Sequence, residues 1–215
     1  MATKLANSAT DFLPAERTLE TLRDAARSCK GCEIYKNATQ TVFGEGPQNA
    51  SVVFVGEQPG DQEDRQGHPF VGPAGRLLDK ALAEARIPRE QIYVTNAVKH
   101  FKWIQRGKRR MHQKPLIRQV IACRPWLQAE LEIIRPKLVV CMGATAAQSV
   151  FGSTVSITRE RGKFLDTDFG PVAFITIHPS SIYRHPKREE QEKEYRRFVA
   201  EMKLVRRRLV SLKAA

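Results

Sequence analysis

Two short apolar runs, each ending in a loop of chemically active side chains, constrain this chain most. Ser51-Val52-Val53-Phe54-Val55 leads directly into Gly56-Glu57-Gln58-Pro59-Gly60-Asp61, and Val172-Ala173-Phe174-Ile175-Thr176-Ile177 leads into His178-Pro179-Ser180-Ser181. Both runs are β-branched or aromatic almost throughout, the pattern of strands buried on both faces. In open α/β sheets, ligands bind in the crevice beyond the carboxyl ends of parallel strands. The pattern therefore predicts a carboxylate and an imidazole facing each other there, although Glu57 and His178 lie more than a hundred residues apart.

Further strands are predicted at 91–95 and 137–141, and helices at 15–27, 74–85, 116–134, 144–151 and 187–213. Strands alternating with helices imply an α/β chain. The expected architecture is a three-layer α/β/α sandwich around a mostly parallel sheet of four strands. The 215 residues suit one domain, expected over 15–215, with 1–14 disordered. No apolar stretch approaches the roughly 20 residues that span a bilayer. The first residues lack an apolar signal core, so a cytoplasmic location is expected.

The formal charge of +13 points to a polyanionic partner. Between Lys99 and Arg118 stand eight Lys or Arg and no acid, interrupted by Trp103, Gly107, Met111 and His112. The stretch from Gly107 to Pro115 reads as a basic loop. Arg206-Arg207-Arg208 reads as a solvated helix face. Neither Gly-x-Gly-x-x-Gly nor a phosphate-loop Lys-Ser/Thr follows the first strand, so a dinucleotide enzyme or NTPase lacks its usual phosphate-binding loop.

The four cysteines are Cys29, Cys32, Cys123 and Cys141. A redox pair plus two core thiols is one reading of them. A tetrathiolate site for zinc or an iron–sulfur cluster is another, favoured because disulfides are rare in a reducing cytosol. Spacing does not decide between the two metals.

Several motifs in order carry a family resemblance. Gly56-Glu57-Gln58-Pro59-Gly60, His68-Pro69-Phe70-Val71-Gly72-Pro73-Ala74-Gly75, Thr95-Asn96-Ala97-Val98-Lys99 and His178-Pro179-Ser180-Ser181 resemble the uracil-DNA glycosylase superfamily. The cysteine spacing resembles its family 4 members, which implies a [4Fe–4S] cluster on Cys29, Cys32, Cys123 and Cys141. Gly107-Lys108-Arg109-Arg110-Met111-His112 resembles the basic loop of the UdgX branch, whose usual ending is Lys-Arg-Arg-Ile-His. Members of that branch excise uracil and stay covalently bound to DNA through the loop histidine. Gln58 also fits the branch, and Met111 for Ile is its one departure, an apolar swap of similar volume.

The resemblance assigns roles that suit the residue chemistry. A uracil must be flipped from a duplex or taken from a single strand. Gly56, Gln58, Phe70 and Asn96 are expected to bind it: the Phe70 ring stacks on the base, and the Asn96 amide pairs with O4 and N3–H. His178 is expected to donate to O2 as the uracil anion leaves. Glu57 is expected on the nucleophile side, with Asp61 in support. Lys108, Arg109, Arg110, Ser180 and Ser181 are expected to contact DNA phosphates. His112 is expected to attack C1′ as a neutral imidazole, with its cationic neighbours disfavouring the imidazolium. Uracil-containing DNA, expected single-stranded, is the partner, free uracil a product, and a monomer the expected state. Two alternatives stand beside this: a turnover glycosylase using water, and a non-catalytic iron–sulfur protein that senses DNA damage.

Overall fold

A computed structural model describes residues 8–152, 155–168 and 170–214. Its main sheet has five strands: β1 (Val52–Gly56), β2 (Tyr93–Asn96), β5 (Leu138–Met142), β6 (Phe164–Leu165) and β7 (Val172–Thr176). Their order is β2-β1-β5-β7-β6. The first four are parallel, as expected, and lie within two residues of the predicted runs. The fifth, β6, is antiparallel to β7 and only two residues long, too short to leave a periodic signal.

Side chains alternate across the sheet with the period of a strand. Val52, Phe54, Val140 and Phe174 face one core with α3 (Pro73–Glu84) and α7 (Arg188–Ala214). Val53, Val55, Val139 and Ile175 face the other with α4 (Ile117–Ile134) and α5 (Ala144–Phe151). The result is the three-layer sandwich. Among the described residues no helix is long and apolar enough to cross a membrane.

Two short helices frame the first loop and the N-terminus. Helix α1 (Leu19–Ala26) starts later than predicted because Thr18 and Thr21 form a reciprocal capping box there. Helix α2 (Asp61–Gln66) was not predicted; its six residues bury only Glu63 and Asp64, so it lacks an apolar stripe. Of the segment 1–14, expected to be disordered, residues 1–7 lie outside the described residues, and Ala9–Phe12 form a 3-10 turn capped by Ser8. A Cβ on Gly31 would lie 2.6 Å from the Ala9 nitrogen, so the loop between Cys29 and Cys32 packs directly on this turn.

The basic loop is a β-hairpin instead. β3 (Trp103–Arg106) pairs antiparallel with β4 (Arg109–His112) around Gly107-Lys108. Gly107 has φ +57, as the two-residue hairpin turns require. Trp103 and His112 share one register position, Ile104 and Met111 the next.

Candidate active site

The chain passes from β1 outward to β2 and then back across to β5, so the topological switch lies between β1 and β5. A binding crevice is expected there. Glu57 directly follows β1, and Thr145 opens α5 just after β5. The Thr145 hydroxyl donates to Glu57 Oε2 at 2.5 Å, tying the two sides together. His112 at the end of the hairpin places Nε2 3.1 Å from Glu57 Oε1. Burial pushes the Glu57 carboxyl up, but the bonds from His112 and Thr145 and the nearby histidines outweigh it and bring it down to about 2. Glu57 is therefore a carboxylate at neutral pH.

The neighbouring floor is built by Gly56, Asn96, Phe70 and His178. A Cβ on Gly56 would lie 2.4 Å from Asn96 Oδ1 and 2.7 Å from the Phe70 ring, so only glycine lets these two side chains approach. Asn96 is buried at the end of β2 and pairs in register with Gly56. Phe70 sits at φ +60, a costly backbone conformation for a bulky residue and a frequent mark of functional sites. Glu63 holds its loop on both sides, accepting from the Gly60 amide at 3.1 Å and the Gly72 amide at 2.7 Å. The Phe70 and His178 rings stack with centroids 6.3 Å apart.

His178 Nδ1 accepts the Ser180 amide at 3.3 Å, which leaves the ring proton on Nε2. Burial lowers this imidazole to about 4. At neutral pH it is thus an uncharged N–H donor. Ser180 Oγ lies 2.8 Å from Nδ1, and the Ser181 hydroxyl donates to the His178 carbonyl at 2.7 Å. Both serines, expected on phosphates, fasten the histidine.

The hairpin engages three further residues of the expected set. Gln58, expected against the substrate, uses its amide on the hairpin base: Nε2 donates to the carbonyls of Lys102 and Gln113, and Oε1 accepts the Lys102 amide. The open end of a two-stranded ribbon leaves backbone groups that need such a partner. Asp61, expected in support of catalysis, is a salt-bridge partner of Arg65 and Arg110. Arg110, expected on DNA, is turned inward against Asp61 and the fully buried Asp64. The cations around His112 are therefore not packed on it; Glu57 is. Lys108 and Arg109 are exposed and make no ion pair among the described residues.

Three of the four thiols assemble. Cys29, Cys32 and Cys123 share one packed cluster. Burial raises Cys123, and Cys32 and Cys29 add to the effect. Trp126 Nε1 donates to Cys29 Sγ at 3.3 Å and the Lys99 amide to Cys123 Sγ at 3.2 Å. Cys141 does not join them. It lies inside β5, paired in register with Val55 and Ile175, in the other core. Among the described residues no three His, Cys, Asp or Glu form a single-ion site. His100, which sequence reasoning passed over, is buried beside Lys99 without a hydrogen bond among the described residues, and burial lowers it to about 4.

Thr145, Glu63 and Glu130 were also missed. Glu130 left one sign: it stands on the same helical stripe as Leu127, Leu131 and Ile134, where an acid needs a partner.

An α/β sheet with its switch point lined by a carboxylate, an amide and two imidazoles defines a ligand site at the strand ends. The chain matches the Uracil DNA glycosylase superfamily over residues 43–203, and it belongs to that family. It is 38% identical over 187 residues to a Type-4 uracil-DNA glycosylase of Thermotoga maritima, covering 86% of this chain and 91% of that protein. It is 37% identical over 191 residues to a Type-4 uracil-DNA glycosylase of Archaeoglobus fulgidus, covering 84% and 92%. A Type-4 uracil-DNA glycosylase of Sulfurisphaera tokodaii is 32% identical over 190 residues, covering 84% and 83%.

Proposed function

We propose that this chain is a uracil-DNA glycosylase that ends its reaction covalently attached to DNA through His112. The observation that carries the reading is the pairing of His112 with the Glu57 carboxylate at 3.1 Å, beside Asn96, Phe70 and His178. Asn96 is buried at the end of β2, and its side-chain amide offers both a donor and an acceptor to a uracil edge. Phe70 supplies the stacking face.

As the C1′–N1 bond breaks, its electron pair leaves with uracil, and the sugar becomes oxocarbenium-like. Neutral His178 donates Nε2–H to O2 of the departing anion. Glu57 stabilises the cationic sugar. One nitrogen of His112 gives its lone pair to C1′ while the other keeps its proton, and Glu57 offsets the imidazolium that results. That proton then passes to solvent. The product is a C–N bond that water does not turn over.

Cys29, Cys32 and Cys123 suit a [4Fe–4S] cluster: half-buried Cys32 packs against buried Cys29 and Cys123, and N–H donors aim at the sulfurs of the latter two. With Cys141 elsewhere, His100 is the fourth donor we assign, a neutral imidazole one residue from the amide that bonds Cys123. Such a cluster would tie the N-terminal turn, the hairpin root and α4 together. Lys108 and Arg109 bind the DNA backbone, and free uracil is released.

Denaturing electrophoresis with a uracil-containing oligonucleotide tests the reading. A shifted band that survives SDS and heat, one per chain, is expected. Multiple turnovers with no shifted band would instead support a water-using glycosylase, and no base release a binding protein.

A further inference from the structure

Lys99 and Glu130 form an ion pair at 2.6 Å with both side chains fully buried. The ammonium has three hydrogen-bond partners: Glu130 Oε2 at 2.6 Å, Thr95 Oγ1 at 2.6 Å and the Asn96 carbonyl at 3.0 Å. Glu130 also accepts from the Tyr93 hydroxyl at 2.9 Å, the Thr95 hydroxyl at 3.0 Å and the Gly44 amide at 3.1 Å. Every charged atom of the pair is thus hydrogen-bonded, without water.

Such a pair is a poor way to gain stability. Well-packed apolar residues of similar volume often do as well or better, because two charges must be desolvated. What an apolar pair does not do is hold a carbonyl. The Asn96 carbonyl is held by Lys99, and the next amide, that of Ala97, donates to the Gly56 carbonyl at 3.0 Å. The peptide plane after Asn96 is therefore clamped from both sides. Tyr93 and Thr95 point toward α4, so by strand alternation Asn96 points the other way, toward Gly56 and Phe70. Lys99 is also fixed through its own amide to Cys123 on the same helix.

We infer that Lys99 and Glu130 are positioning residues: together they fix the peptide of Asn96 and so aim its amide at the base. This rests on the proposed reading of Asn96 as the residue that recognises uracil. The pair does not touch the base. It acts by removing rotational freedom from the end of β2, where a misplacement of about 1 Å can cost a hundredfold in rate.

The test uses the full chain carrying Lys99→Met, Glu130→Gln, and both together. Single-turnover uracil release, affinity for uracil-free DNA and urea stability are measured for each. Lys99→Met alone strands a buried carboxylate and loses stability. The double variant is neutral, keeps an acceptor for Tyr93, Thr95 and Gly44, and recovers most of that loss. Its uracil release is nevertheless expected to fall by about tenfold to a hundredfold, with unchanged affinity for uracil-free DNA. Leu131→Ala, a core truncation on α4 that leaves the ion pair and its partners in place, provides a destabilised control whose release rate stays at wild type. Wild-type release by the double variant, or by folded Glu130→Gln if the double does not fold, overturns the inference. Asn96→Ala separates the two layers. If Asn96→Ala abolishes release while the pair variants keep it, only the positioning role falls. If Asn96→Ala itself releases uracil normally, the reading of Asn96 falls and the inference with it.

Discussion

Nε2 of His112 lies 3.1 Å from Oε1 of Glu57, and the other oxygen of the same carboxylate accepts from Thr145. One side chain thus joins three elements: the end of β1, the start of α5 and the far strand of the hairpin. The hairpin is not free to drift over the site. Gln58 fixes its base and Arg110 its middle. A histidine delivered in this way, to a carboxylate at the sheet's switch point, is placed for chemistry on whatever the crevice holds.

Replacing His112 by Ala should abolish the adduct and leave uracil release. Asn96, Phe70 and His178 still bind the base, and water can enter the vacated space beside Glu57. Glu57→Gln should lower the rate of crosslinking, because the carboxylate that offsets the imidazolium is gone. Peptide mapping of the wild-type adduct should find the sugar on His112. A sugar on Lys108, or an undiminished band from His112→Ala, would refute the covalent mechanism.

The basic residues of the hairpin divide into two kinds with different signatures. Lys108→Gln and Arg109→Gln should leave stability unchanged and each flatten the slope of log affinity against log salt by about one, as expected for a phosphate contact. Arg110→Met should behave oppositely. It removes the partner of fully buried Asp64, which costs about 3 kcal/mol when a buried pair is broken. Salt titrations and urea melts on the three variants check this. A flattened slope with unchanged stability in Arg110→Met would return that residue to the DNA-contacting set.

The long apolar strands and the striped helices were legible in the sequence because each buries a repeating face. Helix α5 was predicted to the residue. The hairpin was not, although Trp103-Ile104-Gln105-Arg106 and Arg109-Arg110-Met111-His112 each form a strand around a glycine turn. Its outward residues Ile104 and Met111 are exposed, so no burial pattern distinguishes it from a charged loop. The ion pair of Asp61 and Arg110 was not legible for a related reason. A charge in a loop looks solvated until the distant partner is known, and theirs lie about fifty residues apart. The grouping of Cys141 with the other thiols rests on their count and on the resemblance of their spacing; its position inside a central strand aims it into the sheet core.

His178 makes stability pH-dependent in a defined direction. Its folded value of about 4 lies below the ordinary 6.5. As pH falls from about 6.5, the unfolded chain takes up a proton that the folded chain refuses, so stability drops until about pH 4 and then levels. Glu57 adds its own loss at lower pH, between the ordinary 4.5 and about 2. Urea midpoints measured from pH 7.5 down to 4 should decline, and His178→Gln should flatten the decline. Uracil release by protein still folded at pH 5.5 should persist, since the neutral Nε2–H donor is still present. A release profile that fell with a midpoint near 6.5 would show that the donor is not held neutral.

The thiol cluster gives the last expectation. The purified protein should be yellow-brown, with iron and sulfide in equal amounts. Cys29→Ser, Cys32→Ser and Cys123→Ser should each bleach it and destabilise the chain, since these residues tie α4 to the N-terminal turn. Cys141→Ala should keep the colour and the iron, and cost about 1 kcal/mol for the small void left in the sheet core. His100→Ala should lose iron or change the visible spectrum, and His100→Cys should restore a stable cluster, because a thiolate is an accepted ligand there. These readouts do not depend on activity. A bleached Cys141→Ala protein with an unaltered His100→Ala spectrum would return the fourth position to Cys141. Zinc as the only metal, one per chain, would remove the iron–sulfur reading altogether.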